Sequence, residues 1–248
     1  MRARQAPPAS PGRQALNRRL ARIPGMGTLY LVRHGQASFG ADDYDVLSPL
    51  GHRQSVRLGE YFKNKGLVFD AALTGTLNRQ VQTFAGICEG MGAAALPHTR
   101  WPGLNEYDSA AVIGAIHPGP LARPDTPELY RDYFRLLKEG LTQWMAGVVS
   151  PRGMPSYPEF ALAIAQALDH VRTLPEGRVL LVSSGGPIAT AVGQVLGTRP
   201  ETTIELNLRI RNTSVTEFAF TPKRHMLVTY NTLPHLDAAE HASWVTYA

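Results

Sequence analysis

Short apolar runs without helical period alternate along this chain with longer segments whose apolar residues recur at helical spacing. Thr28–Val32 (TLYLV), Phe69–Leu73 and Arg178–Val182 (RVLLV) are such runs, and stretches of this kind predict strands buried on both faces of a sheet. Thr203–Leu206, Val215–Phe220 and Met226–Tyr230 read as further strands, and Pro222–His225 forms a hairpin-like connection between the last two. Helical spacing appears over 52–62, with Val56, Leu58, Tyr61 and Phe62 on one face, and Gly66 as the stop. Further helices are predicted over Asn78–Phe84, with Thr74 or Thr76 as N-cap, and over Thr126–Met145 and Ile188–Leu196. Another spans Phe160–Leu174, apolar at Phe160, Ile164, Ala167, Leu168 and Val171. Strand–helix alternation of this order predicts an α/β protein, a three-layer α/β/α sandwich on a mostly parallel sheet. The stretch of about 107–158 breaks the alternation and reads as a helical insertion.

Composition narrows the picture. At 248 residues the chain has room for one α/β domain with a full core, taken as 26–248. No apolar run reaches the roughly 18 residues a membrane span needs, so no membrane partner is expected. The single cysteine, Cys88, forbids an internal disulfide, reads as a buried structural thiol and fits a cytoplasmic setting. The net charge of +5 is deceptive. Residues 1–25 hold six arginines and no acid, which leaves the rest of the chain near neutral and without a nucleic-acid-binding face. That stretch has too few large apolar residues to fold and no continuous apolar segment of a secretory signal. Its acid-poor, arginine-rich composition is also that of an organelle transit peptide, but Met26 is expected to be the true start.

The chemistry begins where the first strand ends. Ligands of open α/β sheets sit outside the carboxyl ends of the strands, and there this chain presents Arg33-His34-Gly35. A histidine at such a tip can attack a phosphoryl group, and arginine offers a planar donor fork for its oxygens. Read alone, the triplet fits a satisfied strand-end histidine at least as well. Arg79 lies about one turn into a helix and alone fits a solvated face. Ser183-Ser184-Gly185-Gly186 turns a second strand tip into a helix, and Asn105-Glu106 places an acid in a loop. No cluster has metal-ligand spacing, so neither metal nor cofactor is expected.

Several motifs in order carry a resemblance. Leu31-Val32-Arg33-His34-Gly35-Gln36, Leu47-Ser48-Pro49-Leu50-Gly51 with Gln54, Thr74-Gly75-Thr76-Leu77 with Arg79, Gln82 and Thr83, Leu104-Asn105-Glu106 and Asn212–Thr216 together resemble the histidine phosphatase superfamily. The resemblance covers about residues 27–236 and implies the phosphoglycerate-mutase-like fold. It implies that His34 forms a phosphohistidine, that Arg33 and Arg79 hold the phosphoryl oxygens, and that Glu106 protonates the leaving alkoxide and then activates water. The implied substrate is a small phosphorylated metabolite, and a homodimer is one open arrangement. One departure matters: where the family carries a second histidine, this chain has Ser184, followed by Gly185. Both are expected at the phosphate, with reduced rate for want of a cation, and His117 in the insertion is a candidate substitute. Phe39-Gly40 and Tyr107-Asp108-Ser109 differ from the family's mutases, which favours a phosphatase. A phosphate-binding pseudoenzyme and a mutase-type phosphotransferase are the alternatives.

Overall fold

The structure, a computed structural model, describes residues 25–38, 45–93, 96–117, 119, 126–175 and 177–247. Apart from Gly25, the basic stretch 1–25 lies outside them. Strands β1 (Gly27–Arg33), β2 (Ala71–Thr74), β3 (Thr99–Arg100), β4 (Arg178–Ser183), β5 (Val215–Thr221) and β6 (Arg224–Thr232) form one sheet in the order β3-β2-β4-β1-β5-β6. β3, β2, β4 and β1 run parallel, and β5 is antiparallel to both β1 and β6. The sheet is therefore mixed, with its parallel half carrying the strand tips of interest.

Alternation along β4 shows why two helical layers exist. Val179 and Leu181 point into one apolar cluster, Leu180 and Val182 into another, and all four are buried. The second cluster holds Leu58 and Phe62 of helix α1 (Pro49–Asn64) and Phe84 and Ile87 of α2 (Asn78–Met91). The first is built with helices α3 (Ser109–Gly114), α4 (Pro127–Met145), α5 (Tyr157–Thr173), α6 (Gly185–Leu196) and α7 (Pro200–Arg209). Strands covered on both faces must be apolar at every position, which is what made their sequence runs continuous. No helix among the described residues is long and apolar enough to cross a membrane.

Three expectations need correction. Thr203–Leu206 is no strand but the middle of α7: Pro200 starts the helix and burial falls on Thr203 and Ile204 alone. A β-branched Thr-Thr-Ile run suggested a strand, and packing against α6 overrode that weak propensity. The inward face of α1 is Gln54, Ser55, Leu58, Gly59 and Phe62, while Val56 and Tyr61 are only half-buried. Small and polar residues are buried there because α2 approaches closely: a Cβ on Gly59 would stand 2.1 Å from the Ile87 carbonyl oxygen. Neither Thr74 nor Thr76 caps α2; Leu77 holds the N-cap position. Its amide donates to Gln80 Oε1, and the Asn78 amide donates to the carboxylate of Asp45 at 2.9 Å.

β1 connects through α1 to β2 on one side, whereas β4 leads through α6 and α7 to β5 on the other. The chain thus reverses direction across the sheet between β1 and β4, and the crevice at their carboxyl tips is where such folds take ligands.

Candidate active site

β1 delivers Arg33 and His34 to this crevice, and the backbone around them is pinned. The His34 amide donates to the Ser183 carbonyl of β4, and the Gly35 amide to Thr83 Oγ1. The His34 carbonyl accepts from the Thr213 amide and from Asn212 Nδ2, so the turn before β5 clamps the tip from the other side. Gly35 is required by proximity: a Cβ there would lie 2.5 Å from the Gly51 carbonyl oxygen.

The hydrogen bonds fix the tautomer of His34. Nδ1 is 2.7 Å from the Gly35 carbonyl oxygen, which can only accept, so Nδ1 carries the proton. Nε2 is 3.3 Å from Arg79 Nε, which can only donate, so Nε2 presents its lone pair. Burial, with the Arg33 and Arg79 charges beside it, holds the imidazole pKa well below its ordinary value. His34 is therefore a neutral, oriented base whose unprotonated nitrogen faces a guanidinium.

Arg33 and Arg79 are both buried. Arg33 Nη1 donates to the Ile210 carbonyl at 2.5 Å, and Arg79 Nη1 pairs with Asp45 Oδ1 at 2.7 Å. Asp45 thus serves both the side chain of Arg79 and the amino end of α2. The first amides of that helix, Asn78 and Arg79, donate to this carboxylate. Sequence reading missed Asp45, because nothing in its spacing marks a loop carboxylate as the partner of an arginine 34 positions later.

Glu106 lies in the loop after the turn Pro102–Leu104. Its carboxylate accepts the Gly186 amide at 3.0 and 3.1 Å. A Cβ on Gly186 would come within 2.3 Å of Glu106 Oε1, so glycine is needed for this approach. Burial raises the Glu106 pKa, opposed by the Gly186 hydrogen bond and by the Arg33 and Arg79 charges. The two shifts run in the directions that a proton-donating carboxyl beside a neutral imidazole requires.

Arg33, His34, Arg79 and Glu106 meet at the floor of one cavity of about 330 Å³. Ser184 and Gly185 do not line it. Ser184 is buried at the N-cap position of α6, and its Oγ accepts from Gln80 Nε2 at 2.9 Å. The same amide nitrogen holds the Leu104 carbonyl, which also accepts from Ser183 Oγ. The turn after β4 thus braces the loop that carries Glu106. His117 is exposed and stands outside the cavity lining. Among the described residues, no group of three His, Cys, Asp or Glu side chains is arranged to hold a metal ion.

The mixed α/β sheet thus presents a histidine, two arginines and a carboxyl at its switch point. Residues 29–233 match the histidine phosphatase superfamily (branch 1), and the chain belongs to that family. Over 93 residues it is 34% identical to a 2,3-bisphosphoglycerate-dependent phosphoglycerate mutase of Bartonella quintana (strain Toulouse). That alignment takes in 35% of this chain and 45% of the mutase, so the chain spans about half the length of the curated relatives it matches. The fold is shared with a phosphoglycerate mutase from Bacillus anthracis str. Sterne (TM-score 0.60, 17% identity, 85% of this chain and 95% of that one). It is shared too with a phosphoserine phosphatase from Entamoeba histolytica in complex with 3-phosphoglyceric acid (TM-score 0.59, 20% identity, 85% and 99%).

Proposed function

We propose that this protein is a metal-independent phosphomonoesterase that works through a phosphohistidine on His34. The observation that carries the reading is the tautomer: a buried, neutral imidazole with its Nε2 lone pair turned toward an arginine. An incoming phosphate group would draw the Arg79 Nε–H to one of its oxygens and so release that lone pair for in-line attack on phosphorus. As the P–O bond breaks, the P–N bond forms and the leaving alkoxide takes the proton of Glu106. Glu106, now a carboxylate, then removes a proton from water, which attacks phosphorus and expels neutral His34. Arg33 and Arg79 offset the charge that develops on the phosphoryl oxygens throughout.

The absence of a second histidine from the described cavity lining favours one other reading, a phosphate-binding pseudoenzyme. Turnover of phosphomonoesters in the presence of a chelator, lost in His34→Ala, supports the phosphatase. So does base-stable, acid-labile phosphate trapped on His34. Binding of substrate analogues without turnover or phosphohistidine would instead establish the pseudoenzyme.

A further inference from the structure

Above its polar floor the cavity changes character. Helix α4 supplies Tyr130, Tyr133, Phe134 and Leu137, and the carboxyl-terminal stretch adds Tyr247. The rings form a connected cluster, with Phe134 5.5 Å from Tyr130 and 5.7 Å from Tyr133 between centroids. Two hydroxyls at the cavity have partners inside the protein. The Tyr133 hydroxyl donates to Ser109 Oγ at 2.8 Å, and the Tyr107 hydroxyl accepts from Asn207 Nδ2 at 2.7 Å. Among the described lining residues, the arginines of the floor are the cations, and no lysine is present. In the proposed mechanism both guanidinium groups engage the phosphoryl group, so a leaving group bearing a carboxylate would share the floor with Glu106 and meet no further cation among the described lining residues.

From this we infer that the alcohol part of the substrate is uncharged and carries an aromatic ring, which stacks against the α4 wall while the phosphate occupies the floor. The inference rests on the phosphatase reading for its chemistry, but not for its recognition. Aromatic faces favour offset or edge-on ring contacts, and burying a ring removes apolar surface from water, so the wall discriminates without any charge of its own. A phosphoglycerate or phosphoserine gains nothing from such a wall.

The test compares 2-phenylethyl phosphate with ethyl phosphate, whose leaving alkoxides are chemically alike and differ by the ring alone. The expected kcat/KM ratio is on the order of 10–100 in favour of the ring. That ratio should fall toward one in Phe134→Ala and in Tyr130→Ala, two variants that guard against a single folding failure. A ratio near one in the unmodified protein, or 3-phosphoglycerate or phosphoserine as the better substrate, overturns the inference. A parallel calorimetric titration with the non-hydrolysable 2-phenylethylphosphonate and ethylphosphonate separates recognition from chemistry. Ring-selective binding without turnover of any ester upholds the aromatic subsite and refutes the phosphatase; equal binding of the two phosphonates refutes the subsite even if both esters turn over.

Discussion

The floor and the wall of the cavity are built on different principles. The floor comes from strand tips and tight turns, where backbone hydrogen bonds and glycine contacts leave each side chain little freedom. Its charges have named partners: Arg33 with the Ile210 carbonyl, Arg79 with Asp45 and His34, Glu106 with the Gly186 amide. The wall comes largely from one amphipathic helix, and its residues take part through ring area and shape. On the proposed reading, a site divided in this way keeps the chemistry fixed while the selection of the alcohol falls to a separate element.

Changes at His34 and Arg79 should therefore affect every substrate alike, a change at Glu106 should follow the leaving group's need for a proton, and changes in the wall should affect only some substrates. The largest loss is expected for His34→Ala, at least about 10⁴-fold in kcat on all phosphomonoesters, because the covalent route disappears. Arg79→Ala should cost on the order of 10²–10³ in kcat/KM, again without regard to the alcohol. If either variant spared some esters and abolished others, the division between floor and wall would fail.

Glu106→Gln should divide substrates by chemistry. Esters of alkyl alcohols need the proton, so a loss on the order of 10²–10⁴ is expected, whereas p-nitrophenyl phosphate, whose leaving group departs unaided, should lose far less in the first step. The pH dependence follows from the two shifts. In the proposed mechanism activity needs neutral His34 and protonated Glu106; the lowered His34 pKa should extend the acid limb below the ordinary imidazole range, and the raised Glu106 pKa should carry the basic limb above the ordinary carboxylate range. For alkyl esters the Gln variant should lose the basic limb of its kcat/KM profile. Retention of that limb would assign it to another group.

The floor was legible in the sequence because its residues follow strand tips and glycines in fixed local motifs. Arg33-His34-Gly35 and Glu106 meet where the motif order implied, and Arg79 joins them. What escaped was set by partners far along the chain. Asp45 pairs across 34 positions, and α7 looked like a strand until its packing was seen. Ser184 was expected at the phosphate by its place in a motif. Its hydroxyl is instead held by Gln80, a long-range contact no local pattern encodes.

That contact changes what a histidine at position 184 should do. Motif order alone predicts a faster enzyme, because a cationic donor would join the site. Ser184 is fully buried and outside the cavity lining, so the ring of Ser184→His must displace close-packed neighbours. The expected cost is about 1–3 kcal/mol of stability, with no gain in kcat. A stable variant with raised kcat would show that the position opens to the phosphate.

The smallest effect belongs to the back of the floor. The clamp on His34 runs through Thr213, a non-glycine residue at φ 54°, whose hydroxyl donates to the Asn212 carbonyl and therefore accepts from His235 Nε2 at 3.0 Å. His235 is buried with Nδ1 unpartnered among the described residues, so a second ring proton would have no acceptor. Burial, followed by the charges of Arg57 and His241, holds its pKa down to about 3. A base with a depressed native pKa takes up protons more readily when unfolded, so its contribution to stability is complete above about pH 6.5 and is lost as the pH falls toward 3. The slope is at most about 1.4 kcal/mol per pH unit in that window. His34 adds a slope of the same sign. His235→Gln keeps a donor for Thr213 but does not titrate. Its denaturation free energy should trail the unmodified protein at pH 7 by about 1 kcal/mol or more. Between pH 6 and 4 that deficit should shrink or reverse, because only the histidine protein loses stability through position 235. Parallel curves from pH 7 to 4 would mean that His235 becomes protonated in the folded protein without cost, and that the clamp behind His34 does not depend on its neutrality.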